Sequence, residues 1–323
     1  MQQRRDTSLR GHACRRRSTP RLPFVRPTRM VTLVLFVLAL MASAPAMASA
    51  SRSFLYYQSG TWINKAALTP KHRPVHVVDT GSGPLAIATA NRRIFWTTVG
   101  SDATGGYESS LMSASASGKG VRTLASGLPI TISLVATHGY VYWPDEAGIG
   151  RVALDGSHLD RSYIPLPAEE GGGVADGLAI EGKYVYFSRC QDGTIGRAAL
   201  DGRSTRQDLV AMGWPNCPQA LAASNGRVYW AELGDAGESY GRIGSAGLNG
   251  SDVDEASLVT NSEQGPFGLA AGGGFIFWSW GGGAGSPEYI ARSRLNGSKA
   301  NSQFAAGGST IALMVGSRHR HGK

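Results

Sequence analysis

The sequence predicts an all-β fold built from six similar four-stranded units, and three repeated features predict it. An eight-residue segment with an apolar first residue, here called the octamer, begins at positions 63, 111, 149, 195, 243 and 290. Four copies end in Leu-Asp-Gly or Leu-Asn-Gly, an aromatic run precedes every copy, and a short apolar run precedes most of the aromatic runs. The spacing of 38 to 48 residues is close to that of the four-stranded blades of a β-propeller. We therefore predict a six-bladed β-propeller.

The aromatic runs are predicted to form the second strand of each blade, because they combine the β-branched and aromatic residues that strands favour. They occupy residues 55–57, 94–96, 141–143, 185–187, 228–230 and 276–278. Each blade then consists of inner strand, turn, aromatic strand, loop, octamer strand, turn and outer strand. The Asp-Gly and Asn-Gly pairs predict type I′ turns, which need positive φ at both central residues. Asn249 and Asn296 each begin an Asn-Gly-Ser glycosylation sequence, but we interpret both as turn residues.

The two ends of the repeat region predict how the ring closes. The first aromatic run has no inner strand before it, whereas residues 310–315 (Thr-Ile-Ala-Leu-Met-Val) have the pattern of an inner strand with no blade after it. We predict that this C-terminal strand completes the first blade, which removes the open sheet edges that would otherwise favour aggregation. The propeller is assigned to residues 51–316 and a disordered tail to residues 317–323.

Residues 1–50 have the composition of an export leader. Nine arginines precede the apolar run 31–42, and residues 48–50 (Ala-Ser-Ala) match a small-x-small cleavage pattern. The apolar run is short for a membrane span. We predict a signal peptide, a mature chain that begins at Ser51, a secreted or extracytoplasmic location and no stable membrane span after cleavage. Two alternatives stay open: retention of the leader as an anchor, and a true start at Met30.

The net charge of +9 comes almost entirely from the leader. The chain has 32 Lys and Arg against 23 Asp and Glu; residues 1–50 hold nine of these bases and one of these acids, which leaves 23 bases and 22 acids. A nearly neutral body lacks the basic excess of a protein that binds phosphate backbones. We therefore predict no nucleic-acid partner, and we expect a monomer.

Cys190 and Cys217 are the two cysteines outside the leader. Cys190 opens the loop after the fourth aromatic strand and Cys217 lies in the crossing to the fifth blade, so both loops should emerge on the same face. In an oxidising compartment such a pair favours a disulfide, which would close a loop of about 27 residues. We predict this bridge; two unpaired buried thiols are the alternative.

A resemblance to a known repeat appears at residues 142–145 (Tyr-Trp-Pro-Asp) and the octamer that follows them. This unit resembles the YWTD repeat, the class B repeat of the low-density lipoprotein receptor, which pairs a Tyr-Trp-Thr-Asp strand with a downstream Leu-Asp-Gly. The resemblance covers residues 54–315 and extends to TolB-like propellers of exported bacterial type. It implies a fold rather than a function, since propellers carry many unrelated functions. One copy keeps Asp at the fourth place, so the blade-to-blade hydrogen bonds that the family builds with this Asp are not implied for the other blades.

The predicted loops between aromatic and octamer strands, together with the crossings between blades, are expected to share one face and to carry the function. Trp214 and Trp280 lie outside the repeat and have no core position assigned to them, which suits a binding surface. The candidate ligand-binding residues are Trp214, Trp280, Asp145, Glu146, Arg189, Asp192 and Glu232. The opposite face is built from short turns and is expected to offer little chemistry.

Two classes of function are compatible with these residues. We favour an exported, non-enzymatic module that binds a protein, peptide or glycan and needs no cofactor. The alternative is an extracytoplasmic hydrolase, lactonase or lyase with a metal in the central channel; gluconolactonase-like propellers hold calcium there, and Asp235 is a further loop carboxylate. The histidines do not cluster, and Ser239 of a Gly-x-Ser-x-Gly sequence lies in a loop rather than in a strand-to-helix turn, so no catalytic residue is assigned.

Overall fold

The computed structural model describes residues 53–68, 73–101, 103–137, 139–167, 175–213, 216–232, 241–259, 266–281, 288–308 and 310–314. These residues belong to one compact unit, Ser49–Lys323, and within them 24 strands form six four-stranded sheets. The described part of the chain contains no helix that could cross a membrane. The predictions about the leader, the start at Ser51 and the tail fall outside the described residues.

Each sheet is one blade, and its strands follow the predicted order from the inside outward. Blade 1 contains β1 (Phe54–Ser59), β2 (Trp62–Ala67) and β3 (Val75–Asp79); blade 2 contains β4 (Ala86–Ala90), β5 (Arg93–Ser101), β6 (Tyr107–Ser115) and β7 (Arg122–Leu128). Blade 3 contains β8 (Val135–Ala136), β9 (Tyr140–Asp145), β10 (Gly148–Ala153) and β11 (Asp160–Pro165); blade 4 contains β12 (Leu178–Glu181), β13 (Tyr184–Arg189), β14 (Thr194–Ala199) and β15 (Thr205–Ala211). Blade 5 contains β16 (Pro218–Ser224), β17 (Arg227–Glu232), β18 (Arg242–Gly247) and β19 (Asp254–Val259); blade 6 contains β20 (Leu269–Gly272), β21 (Phe275–Gly281), β22 (Glu288–Arg294) and β23 (Asn301–Ala306).

The C-terminal strand closes the ring as predicted. β24 (Ile311–Met314) pairs antiparallel with β1 and gives blade 1 the order β24-β1-β2-β3. The inner strands β4, β8, β12, β16, β20 and β24 contact one another in cyclic order. The prediction of an all-β, six-bladed propeller whose first blade is completed by the last strand is therefore confirmed.

The strand directions divide the propeller into two faces. In blades 2 to 6, short turns join the inner strand to the aromatic strand and the octamer strand to the outer strand, and all these turns lie on one face, the turn face; in blade 1, the end of β24, the start of β1, the end of β2 and the start of β3 lie on the same face. The aromatic-to-octamer loops and the crossings between blades lie on the opposite face, the loop face. Alternate side chains of an aromatic strand pack against opposite neighbours, because the side-chain period of a strand is two. Tyr142 thus lies in the core between blades 3 and 4, and Trp143 in the core between blades 2 and 3.

A hydrogen bond to one octamer position joins successive blades. The sixth octamer residue presents its carbonyl oxygen on the turn face, and a side chain of the preceding blade donates to it. The bonds are Tyr56 Oη to Ala116 O (3.0 Å), Arg122 Nη2 to Leu154 O (2.9 Å), Tyr163 Oη to Leu200 O (2.9 Å), Arg197 Nη1 to Leu248 O (2.8 Å) and Arg292 Nη1 to Leu68 O (2.9 Å). Among the described residues, these bonds join five of the six pairs of neighbouring blades.

The two kinds of turn differ in geometry. The type I′ prediction is correct for Asn225-Gly226, where both residues have positive φ. It is wrong for the octamer turns: in Asn249-Gly250 the glycine alone has positive φ, 86°. There the Asn249 Oδ1 accepts a hydrogen bond from the Ser251 N–H at 3.1 Å, so the side chain closes a longer turn. Asn296 does the same with the Ser298 N–H at 3.2 Å, which confirms both asparagines as turn residues.

Candidate binding face

Asp145, a predicted ligand-binding residue of the loop face, is buried. Trp143 Nε1 donates to its Oδ2 at 2.7 Å, because a spacing of two residues puts both side chains on the same side of the strand. Arg161 on β11 contacts the same carboxylate twice, Nε to Oδ2 and Nη2 to Oδ1, each at 3.1 Å, and donates from Nη1 to Gly127 O of blade 2 at 3.0 Å. Asp145 therefore links two strands of blade 3 and, through Arg161, the neighbouring blade.

Glu232 occupies the corresponding position of blade 5 and is also buried. Trp230 Nε1 donates to its Oε1 at 2.6 Å, and Arg242 Nη2 lies 3.2 Å from its Oε2. Burial raises the pKa of Glu232, although both of these neighbours favour the charged form. Arg242 also donates to Asn216 Oδ1 at 3.2 Å, so this carboxylate stabilises the junction between its own blade and the crossing before it.

Arg189 is buried and paired with Asp192, whose side chain is partly exposed. The Arg189 Nη2 lies 2.5 Å from the Asp192 Oδ2, and the Arg189 Nη1 donates to Pro167 O at 3.3 Å. The pair fixes the short loop after the aromatic strand of blade 4 against the crossing that enters this blade. Asp192 is the member of the pair that a partner on the loop face could reach.

The predicted disulfide Cys190–Cys217 is present, with the two Cα atoms 4.1 Å apart. It joins the loop after β13 to the crossing between blades 4 and 5, which confirms that both loops emerge on one face.

Asp176 lies beside this bridge, because the Cys190 N–H donates to Asp176 Oδ2 at 2.7 Å. Burial raises the pKa of Asp176, and the bond from Cys190 opposes this shift. Asp176 lies two residues before β12 and was not among the predicted residues, because nothing in its local sequence marks it.

The remaining predicted residues do not join these groups in one cluster. Glu146 is exposed beside Asp145. Trp280 lies within β21 rather than after it; its Nε1 donates to Ser302 O at 2.7 Å, and its ring centroid is 5.3 Å from that of Tyr289, so part of the ring packs on its own blade. Trp214 and Asp235 fall outside the described residues.

The central channel has aliphatic walls. Inner-strand side chains alternate between the two flanking blade interfaces, as Leu178 and Ala179 do. The channel, about 180 Å³, is lined by Ile87, Ala88, Thr89, Leu134, Val135, Ala136, Leu178, Ala179, Ile180, Leu221, Ala222, Ala223, Leu269, Ala270, Ala271, Ile311 and Ala312. This volume is below the roughly 300 to 1,000 Å³ of small-molecule sites. Among the described residues, no group of three or more His, Cys, Asp or Glu could hold a metal ion.

Exposed apolar side chains of two crossings and of β6 are the main loop-face feature that sequence reasoning missed. Ile130 and Ile132 are 47% and 62% exposed in the crossing to blade 3, Tyr107 is 76% exposed at the start of β6, and Phe267 is 39% exposed in the crossing to blade 6. The register brings Tyr107 towards the first two, because Ser109 pairs with Leu128. An Ile-Thr-Ile sequence in a crossing was the available signal, since β-branched residues in a loop have no strand to explain them.

Thr131 holds this apolar pair in place. Its side chain lies between Ile130 and Ile132 in sequence and is buried. The Thr131 N–H donates to Ser109 Oγ at 3.1 Å, and its carbonyl accepts from Thr97 Oγ1 at 2.8 Å. Because both backbone groups of the middle residue are bonded to blade 2, the two isoleucines on either side are presented in a fixed conformation.

No family model matches the chain, and no curated protein matches it. Among solved structures, it is similar to a chain in the crystal structure of a nidogen/laminin complex, with a TM-score of 0.58 and 14% identity over 81% of this chain and 98% of that chain. It is also similar to a putative 6-phosphogluconolactonase from Bacteroides uniformis, with a TM-score of 0.50 and 13% identity over 78% of this chain and 82% of that chain. These similarities show the propeller fold.

Proposed function

We propose that this protein is a non-catalytic binding module that takes a protein or peptide segment on its loop face. The observation that carries the proposal is the exposed pair Ile130 and Ile132, fixed by the hydrogen bonds of Thr131. Apolar side chains held in one conformation lose little entropy on binding and make good interface anchors. Aliphatic side chains favour an apolar segment of a protein over a glycan, which would need more polar donors.

The charges of the loop face support binding rather than chemistry. Asp145, Arg189 and Glu232 are buried in ion pairs and hydrogen bonds within the blades, so they are committed to structure. The accessible acids Glu146 and Asp192 would then form a polar rim around the apolar contacts, as protein interfaces commonly have. The described channel walls supply aliphatic side chains and Thr89, which favours a surface ligand over a metal-dependent reaction in the channel.

We further infer that the protein works outside the cytoplasm, as a secreted or extracytoplasmic monomer. The disulfide Cys190–Cys217 supports this location, since such bonds persist in oxidising compartments. The Arg-rich, apolar leader predicted from the sequence is consistent with it. A chain of the same fold occurs in the nidogen/laminin complex, so a propeller of this kind is compatible with a protein partner.

A phage-displayed random peptide library tests this function. Peptides selected on the immobilised parent protein should bind the Ile130→Ser/Ile132→Ser variant at least 10-fold more weakly, because hot-spot side chains contribute more than about 1.4 kcal/mol each. The matched control is Val121→Ser/Leu159→Ser, which removes two similarly exposed aliphatic side chains from the turn face. It should bind the same peptides as the parent does.

Two results would contradict the proposal. One is a set of selected peptides that the turn-face variant loses and the loop-face variant keeps. The other is calcium that stays bound in stoichiometric amount through dialysis, together with lactone hydrolysis by the purified protein. That pair of results would favour the enzyme with a channel metal.

A further inference from the structure

Nearly all the basic side chains lie on the turn side of the propeller. Of the 18 Lys and Arg among the described residues, 16 lie in the turn-face turns or in the halves of the strands next to them. The two exceptions, Arg189 and Arg242, are paired with loop-face acids, and so is Arg161, whose backbone lies in the turn-side half of β11 but whose guanidinium contacts Asp145. The nearly neutral composition of the body therefore hides a strong separation of charge between its two faces.

The separation is strongest in three consecutive blades. The turn side of blades 6, 1 and 2 carries nine bases and, among the described residues, no acid. We call this surface the basic sector. It consists of Arg292, Arg294, Lys299, Lys65, Arg73, Arg92, Arg93, Lys119 and Arg122. On blades 3 to 5, by contrast, acids such as Asp155, Asp201 and Asp252 interrupt the basic residues.

The bases of the sector have no acidic partner within the described residues. The ion pairs found there involve Arg161, Arg189, Arg206 and Arg242, none of which belongs to the sector. Like charges are instead close to one another: burial lowers the pKa of Lys65, and the charge of Arg92 on the next blade adds to this shift. Burial and the charge of Arg122 lower the pKa of Arg93 in the same way. A surface that keeps such repulsion is suited to an external anion.

Exposed aliphatic side chains lie among these bases. Val75 is 60% exposed at the start of β3 and Val121 is 50% exposed next to the start of β7. Both lie on the turn face, close in sequence to Arg73, Lys119 and Arg122. Basic residues interspersed with aliphatic ones are typical of surfaces that rest on anionic bilayers, where the bases meet headgroups and the aliphatic side chains enter the interface.

The path of the chain points to the same face. β1 begins at Phe54 on the turn side of blade 1, in the middle of the basic sector, and Arg52 of the predicted mature chain precedes it in sequence. β24 ends on the same side, and the residues that follow it include Arg318, Arg320 and Lys323. The basic residues that flank the propeller in the predicted exported form therefore join it at this face.

We propose that the basic sector docks the propeller on the surface of an anionic lipid bilayer, with the loop face directed away from it. The short turns of blades 6 and 2 on this face suit a flat surface rather than a groove-bound polymer. Among the described residues, no exposed Phe, Tyr or Trp side chain, on which nucleic-acid bases would stack, accompanies its bases: the rings of Phe54 and Phe275 are half-buried, with the cations of Lys65 and Arg292 placed over them. Val75 and Val121 suit the interfacial region of a bilayer instead.

Cosedimentation with vesicles tests the docking, with the protein purified in its exported form. Vesicles of phosphatidylcholine with 30% phosphatidylglycerol should bind it, vesicles of phosphatidylcholine alone should not, and 0.5 M salt should release it. The triple variant Arg73→Gln, Arg92→Gln, Lys119→Gln should bind the anionic vesicles about 100-fold more weakly, since each base near an anionic surface contributes roughly fivefold. All three side chains are exposed, so the melting temperature should stay unchanged.

The matched control removes three exposed bases from the turn side of blade 4, opposite blade 1: Lys183→Gln, Arg203→Gln and Arg206→Gln. Its affinity for the anionic vesicles should be less than 10-fold below that of the parent protein. A second arm, Val75→Thr/Val121→Thr, keeps every charge and should weaken vesicle binding severalfold. Binding of inorganic polyphosphate, which we expect to be weak in the parent protein, should be the same in this variant.

Three results would overturn the proposal. The first is no binding to the anionic vesicles. The second is equal loss from both triple variants, which would show net charge rather than the basic sector at work. The third is tight polyphosphate binding with no effect of the valine substitutions on either probe, which would make the surface a site for soluble polyanions.

Discussion

The loop face and the turn face use charge in opposite ways. The loop side holds eight described acids against two bases, and the turn side sixteen bases against seven acids; a further acid, Asp208, lies at the middle of β15. On the loop side, acids such as Asp145 and Glu232 are buried and paired with an arginine of another strand of the same blade. On the turn side, bases such as Arg73 and Lys119 are exposed to solvent. The comparison shows that the position of a residue within the repeat, rather than its type, decides whether its charge serves the fold or remains available to a partner.

The turn side is basic partly because each blade needs one cation there. In four blades a cation of the octamer strand lies over an aromatic ring at the start of the aromatic strand: Lys65 over Phe54 (3.9 Å), Arg151 over Tyr140 (4.1 Å), Arg197 over Tyr184 (4.6 Å) and Arg292 over Phe275 (4.9 Å). In the other two the arrangement is reversed: Arg93 donates to Ser113 Oγ (2.8 Å) and Arg227 to Ser245 Oγ (2.9 Å). Whether the base is on the octamer strand or on the aromatic strand, every blade has a positive charge at the turn-side ends of these two strands.

The largest effect should come from the covalent link that holds the loop face. Replacing both cysteines, Cys190→Ser/Cys217→Ser, should lower the free energy of unfolding by roughly 3 to 4 kcal/mol, because the bridge closes a loop with a sequence separation of 27 residues. Urea unfolding followed by tryptophan fluorescence measures the difference.

Reductant supplies the control for this variant. It should lower the stability of the parent protein and leave that of the double variant unchanged. Vesicle binding through the turn face should be the same in both, so a parallel loss of both properties would show that the two faces are not independent.

Substitution of a buried acid should lower the free energy of unfolding by less than loss of the disulfide does, and by more than substitution of a solvated acid. Asp145→Ala should lower the free energy of unfolding by about 2 to 3 kcal/mol, because Trp143 Nε1 is left without an acceptor in a buried position. Asp145→Asn keeps that acceptor and loses the ion pair with Arg161, so its cost should be smaller. The matched turn-face change is Asp155→Asn, which keeps the turn acceptor for Ser157 and should lower the melting temperature at pH 7 only slightly. Equal destabilisation by the two Asn variants would show that the two classes of acid are not distinct.

The fold was predictable because local patterns specify it. The octamers and aromatic runs fix strand identity, and the unmatched ends of the repeat fix the closure by β24. The disulfide followed from the places of Cys190 and Cys217 in neighbouring loops of one face. Each of these features depends on spacing along the chain, which the sequence displays directly.

The site was less predictable because its residues depend on contacts between distant segments. The sequence places Asp145 at the start of a loop, but its burial results from Arg161, which is 16 residues away. A Trp-x-Asp or Trp-x-Glu spacing within a strand was the available signal, since period two brings both side chains to one side. Likewise, a sum of charge over the whole chain cancels the two faces, whereas a sum over the two halves of each strand would have separated them.

The stability contributions of one carboxyl on each face should respond to pH with opposite sign. Burial raises the pKa of Asp176 on the loop face, whereas hydrogen bonds from Ser157 lower the pKa of Asp155 on the turn face. A raised pKa means that the folded protein binds the proton more tightly, so Asp176 reduces stability as the pH rises from its unfolded value of about 3.9 through the raised folded value. Asp155 adds stability above the unfolded value, and this is lost as the pH falls through its lowered folded value.

Asp176→Asn keeps an acceptor for the Cys190 N–H and should therefore raise the melting temperature slightly at pH 7 and leave it unchanged at pH 3. Asp155→Asn removes the opposite contribution, so the fall of its stability from pH 7 to pH 3 should be slightly shallower than that of the parent. Melting curves between pH 3 and pH 8 measure both differences. If both variants changed the pH profile in the same direction, the carboxyls of the two faces would have to share one environment, which contradicts the burial of Asp176 beside the disulfide and the exposure of Asp155 in its turn.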